Sequence, residues 1–175
     1  MIIDQYCAEY IVQKKYEIDV FANTEKIFKI ARSFNMSNTS ISKLLFKLRG
    51  LPENLTSLDG LKSFGFVMLG EKKEKEIVFG LVGEFWTFTA GVQYLTPQNF
   101  NDFKKNGFAK AVANIALEPI KENHTKVITE TRVQCYGKLS TILFRTYWTL
   151  IAPFSGLIRK EWLKTIKANS ESFKD

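Results

Sequence analysis

The chain has 175 residues, 45% of them hydrophobic and 14% aromatic, with a formal net charge of +7. That apolar share suits one packed domain over 1–175 and is too high for a disordered chain. No stretch approaches the roughly 18 uninterrupted apolar residues of a membrane-spanning helix.

The opening MIIDQYCAEY has an early Asp and no basic run ahead of an apolar one, unlike a secretory signal. Cys7 and Cys135 stand far apart without CxxC spacing, which fits a reduced, cytoplasmic protein. Positive residues are scattered until the last helix and no nucleic-acid-binding motif matches, so nucleic acid is not an expected partner.

A first strand is expected over 9–21, where Tyr16, Ile18 and Val20 alternate with Glu17 and Asp19. Asn23 is placed to cap a helix that follows, with Glu25 in its first turn. Ile27, Phe28, Ala31 and Phe34 form its apolar side. A second short helix is expected over 39–48, stopped by Gly50 and Pro52, and then a polar loop over 54–63.

FGFVMLG and EIVFGLVG flank the charged turn EKKEKE, a hairpin signal, and EFWTFTAGVQYL reads as a further strand. Thr96 and Pro97 mark the start of a short helical turn. FAKAVANIALEP and TKVITETRVQC then form a hairpin around IKENH.

Pairing Glu118 with Lys126 sets opposite charges face to face and so selects a register. It places Asn114 opposite Glu130 and Val112 opposite Arg132. The other face carries Ala109, Ala111, Ala113, Ile115 and Leu117 against Cys135, Val133, Thr131, Thr129 and Val127. Burial favours this second face, so Glu130 and Arg132 are expected as a solvent-exposed pair. The three alanines mean that either the covering helix comes close, or a cavity remains.

The C-terminal stretch reads as a long helix that Pro153 should kink or split, with Ser155 capping the second part. Leu139, Ile142, Leu143, Phe144, Tyr147, Trp148, Leu150 and Ile151 span more than half its circumference, which predicts a largely buried helix. Arg159 falls on the buried side, either reaching to the surface or anchoring an anionic group of a ligand. Lys160, Lys164 and Lys167 face outward.

The single histidine, His124, excludes a His-centred triad or a multi-histidine metal site, and no glycine-rich phosphate loop is present. No cofactor and no metal are expected. Groups left for acid–base work are Glu84, Tyr94, Tyr147 and Arg159.

IDVFANTEKIF (18–28) is similar to the VDAxxxxVF-type openings of the START-like superfamily, also called SRPBCC, which includes polyketide cyclases and the birch-pollen allergen. LRGLP (48–52), GLVGEFW (80–86), TETRV (129–133) and FRTYWTLIAPFSGLIRKEWL (144–163) resemble segments of a bacterial branch of that group. The resemblance implies an α+β helix-grip fold, a curved antiparallel sheet wrapped around a long C-terminal helix, with two short helices after the first strand. It also implies a deep pocket between sheet and helix, without assigning catalytic residues.

The expected lining is Ala111 and Ala113 with Thr129 and Thr131 from the hairpin. Tyr147 and Arg159 come from the helix, and Trp86 stands either at the mouth or in the core. Gly80 and Gly83 are read as bends where the sheet curls.

The function expected is binding of a small hydrophobic ligand: a lipid, polyketide or aromatic metabolite. The alternative is a cyclase or dehydratase in the same cavity, using Glu84, Tyr147 or Arg159 for proton transfer. A third reading is a docking module that uses Lys160, Lys164 and Lys167.

Overall fold

A computed structural model describes residues 1–33 and 58–172. The elements in chain order are α1 (Ile3–Tyr6), β1 (Val12–Val20), α2 (Thr24–Ser33), α3 (Leu58–Ser63), β2 (Val67–Lys72) and β3 (Glu76–Gly83). They continue with α4 (Pro97–Asp102), β4 (Ala109–Lys121), β5 (His124–Cys135) and α5 (Lys138–Glu171). The fold is α+β: one five-stranded antiparallel sheet in the order β1-β5-β4-β3-β2, with α5 packed against it in a helix-grip arrangement.

Local signals account for several elements. Asn23 Oδ1 accepts from the Lys26 N–H at 2.9 Å and caps α2, whose Ile27, Phe28 and Ala31 turn into the core. Thr96 caps α4 in the same way, through the Asn99 N–H. The β4–β5 register is the one that charge pairing selects, with Glu118 opposite Lys126 and Asn114 opposite Glu130.

Other expectations are corrected. Residues 54–63 read as a polar loop, but Leu58–Ser63 are helical. Residues 84–95 are not a strand. Beyond β3 the chain turns back on itself, and the Glu84 N–H donates to Ala90 O at 2.7 Å while Gln93 N–H returns to Val82 O. Ala90 and Gly91 both adopt positive φ to make that return. The helix expected over 39–48, its stop at Gly50 and Pro52, and Phe34 lie outside the described residues.

Pro153 does not split the last helix. Helical structure is continuous over Lys138–Glu171, and Ser155 sits inside it rather than at a cap. Gly80 and Gly83 allow close approach. A Cβ on Gly80 would lie 2.5 Å from the Phe100 ring, and one on Gly83 would lie 2.5 Å from Ala90 O.

The largest departure is that both faces of the sheet are covered. The inner face meets α2 and α5 through Val20, Ile27, Phe79, Ile115, Trp162 and Ile166. On the outer face Ile3, Cys7, Phe100 and Phe108 pack onto Val78, Val82 and Val112. A short N-terminal helix therefore lies where the strand pattern predicts water.

Candidate functional site

The inner face carries the alanine row. Ala109, Ala111 and Ala113 stand opposite Cys135, Val133 and Thr131. At one end Phe144 of α5 drops onto Ala109 and Val133, and four aromatic rings gather around it. Phe85, Trp86, Tyr147 and Trp148 have centroids 6.3, 6.5, 5.9 and 5.8 Å from that of Phe144. At the other end Ile115 and Leu117 pack with Phe79, Trp162, Leu163 and Ile166.

Ala113 and Thr131 lie between these two clusters in the register. The next residue across is Lys14 of β1, paired with Thr131 and exposed to solvent. Helix and sheet approach closely near Tyr16. A Cβ on Gly156 would lie 2.5 Å from the Tyr16 hydroxyl oxygen. The row thus passes from an aromatic cluster, through a small-residue stretch with an exposed lysine at its edge, to an aliphatic cluster.

The predicted residues divide accordingly. Ala111, Trp86 and Tyr147 share the aromatic end. Ala113 and Thr131 hold the middle. Thr129 is buried with its hydroxyl donating to Asn114 O at 2.8 Å, a backbone commitment. The half-buried Arg159 sets its guanidinium 5.6 Å from the Trp162 ring, at the aliphatic end. Tyr147 and Arg159 are therefore not brought together, since 12 residues separate them and a helix rises about 18 Å over that span.

Glu84 opens the return loop against Gly91, and the exposed Tyr94 hydroxyl donates to Ser63 O. His124 leads β5, stacked on Phe21 and 3.0 Å from Asp19.

Sequence reasoning missed the polar centre of the outer face. Glu130 and Arg132 are 2% and 6% exposed, not a surface pair. Glu130 Oε1 accepts from Arg132 Nε and from Gln13 Nε2, each at 2.6 Å. Arg132 Nη1 donates to Asp4 at 2.8 Å and to Cys7 O at 3.0 Å, while Tyr10 stacks 5.0 Å from its guanidinium.

Beside this pair, the buried Glu76 accepts from the Ile2 and Ile3 N–H groups at the start of α1 and from Asn114 Nδ2. Asn114 Oδ1 in turn accepts from the Glu130 N–H. These groups tie the N-terminal segment to the sheet, and nearly every buried polar atom in them is matched. The apolar pair Ile2–Ile3 beside Asp4 is the sequence signal that could have revealed it.

Burial pushes the Cys7 thiol up to about 11 and the Cys135 thiol to about 12, and lifts the Tyr136 phenol to about 12. Neither thiol is a ready nucleophile at neutral pH. These groups stay protonated in the folded state while the unfolded chain ionises near the ordinary values of 9 and 10. Their contribution is complete below about pH 9 and falls as pH rises toward 11–12. Urea melts should show stability declining from pH 9 to 11, and a thiol reagent at pH 8 should not label the buried Cys7 until the chain unfolds. Rapid labelling of Cys7 in the native protein would contradict this burial.

Among solved structures, the chain is similar to a protein of Nitrosospira multiformis, with 13% identity, TM-score 0.47, and coverage of 92% of this chain and 97% of that one. It is also similar to the hypothetical protein jhp0584 of Helicobacter pylori, with 9% identity, TM-score 0.45, and coverage of 97% and 94%. A third likeness is TTHA0849 of Thermus thermophilus, with 10% identity, TM-score 0.38, and coverage of 92% and 98%. No protein-family model matches the chain, and no curated protein matches it either.

Proposed function

We propose that the protein binds a small, mainly apolar molecule between the sheet and α5, at the alanine row. The observation that carries this reading is the buried Ala113–Thr131 pair set between two large hydrophobic clusters. Bulky side chains fill the row at both ends, whereas its middle offers a methyl group and a hydroxyl. A ligand of the lipid, polyketide or aromatic class would bury its apolar surface there, at about 25 cal/mol per Å². Thr131 and the neighbouring Lys14 would meet its polar end.

Binding is favoured over the cyclase or dehydratase alternative by the placement of titratable groups. Tyr147 and Arg159 lie at opposite ends of the row, and the thiols are held protonated.

The test combines native mass spectrometry of the purified protein with uptake of N-phenyl-1-naphthylamine, an uncharged fluorophore. The wild type should take up the probe. Ala113→Leu should weaken uptake by at least about tenfold while leaving stability unchanged or higher, because the added side chain fills space. A closely packed row responds differently: it excludes the probe, and the same substitution costs about 1–3 kcal/mol through overpacking. That result would remove the binding reading.

A further inference from the structure

The N-terminal two-thirds of α5 does not bury the wide apolar arc that its sequence predicts. Phe144 is buried, but Leu139, Ile142 and Leu150 are 69%, 61% and 70% exposed, and Leu143, Phe154 and Leu157 are exposed as well. At 100° per residue these six side chains fall within about 120° of the helix, on the side away from the sheet. They extend about 27 Å along it.

The helix charges along the stripe have one sign. From Lys138 to Lys160 the helix contains no Asp or Glu. The exposed Lys138 and Arg145 line one border of the stripe, and Lys160 on the same border sets its ammonium 5.6 Å from the Tyr16 ring. The lysines farther along are different: Lys164 is paired with Glu161 at 2.9 Å and Lys167 with Glu171 at 2.8 Å. The cationic surface therefore belongs to the same part of the helix as the exposed leucines, not to the last turns.

We propose that this face of α5 docks onto an anionic lipid bilayer, lying flat with its leucines in the acyl boundary and its cations at headgroup level. Two features select that occupant. The stripe is apolar, with one ring, Phe154, among aliphatic side chains and Thr146 as its hydroxyl, so it presents few groups that could form directional contacts with a protein partner. Protein hot spots favour Trp, Tyr and Arg over Leu. A second copy brought face to face would set these cations against like charges with no acid on the helix between Lys138 and Lys160 to meet them, whereas an anionic membrane supplies both an apolar interior and a negative surface. The stripe also points away from the alanine row, so the proposal stands or falls independently of the pocket.

The test is co-sedimentation of the full chain with vesicles of phosphatidylcholine alone and with about 30 mol% phosphatidylserine. The wild type should bind the anionic vesicles at least about tenfold more tightly than the neutral ones, and lose that preference in high salt. Leu150→Glu should abolish binding, and Lys138→Glu with Arg145→Glu should remove the dependence on phosphatidylserine. Both variants alter exposed side chains, so their melting temperatures and N-phenyl-1-naphthylamine uptake should match the wild type. Binding to neither vesicle would overturn the proposal, as would equal binding to both or anionic binding indifferent to these substitutions. A dimer in solution that Leu150→Glu disperses would instead assign the stripe to a second copy and overturn it equally.

Discussion

Arg132→Met should lower the stability of the protein by about 3–5 kcal/mol, which for a chain of this size is a fall in melting temperature on the order of 10 °C. The substitution keeps most of the side-chain volume and removes the cation. What remains is Glu130, almost wholly buried, with its carboxylate facing Gln13 alone among its present side-chain partners. An uncompensated buried charge is far costlier than a lost surface contact, and an exposed pair at i and i+2 would be worth less than about 1 kcal/mol.

The Arg132→Met loss should be accompanied by release of the N-terminal segment, because Arg132 also holds the Cys7 carbonyl and Asp4. Urea melts followed by tryptophan fluorescence give the magnitude, and limited proteolysis of the first ten residues reports the release. Replacing both partners, as Glu130→Leu with Arg132→Met, should recover much of the loss, since it leaves no orphaned charge. A single-mutant effect within about 1 kcal/mol would mean that water reaches the pair.

Phe144→Ala should cost about 3–5 kcal/mol, the range for truncating a buried aromatic whose surroundings collapse incompletely. Phe144 is the point where α5 meets the alanine row, and four rings converge on it. Leu150, on the exposed side of the same helix, should change stability by no more than about 0.5 kcal/mol on truncation to Ala. Chemical denaturation of the two variants side by side tests which face of α5 carries the packing. Equal losses would mean that the leucine stripe is covered within the monomer, and the membrane proposal would fail with that result.

The hairpin shows how far the sequence alone determines this protein. Alternation and a single charge pair, Glu118 with Lys126, are enough to set the β4–β5 register and to put the alanines on one face. The caps at Asn23 and Thr96 are equally legible, because capping and cross-strand pairing act between residues close in sequence or directly opposed.

Which face of the sheet is wet, however, is not a local property. Glu130 and Arg132 sit in a pattern that alternates like a half-exposed strand, and it is Asp4, Cys7 and Tyr10, arriving from a distant part of the chain, that meet Arg132 on this face. The same limit applies to α5. Its apolar arc is wider than the sheet it packs on, so periodicity identifies a helix with much to bury but not which leucines stay outside. Pro153 likewise reads as a kink or a split, yet the helix runs on through it unsplit. Burial is fixed by what covers a surface, and the covering elements are chosen by tertiary contacts between residues more than a hundred positions apart, as between Asp4 and Arg132.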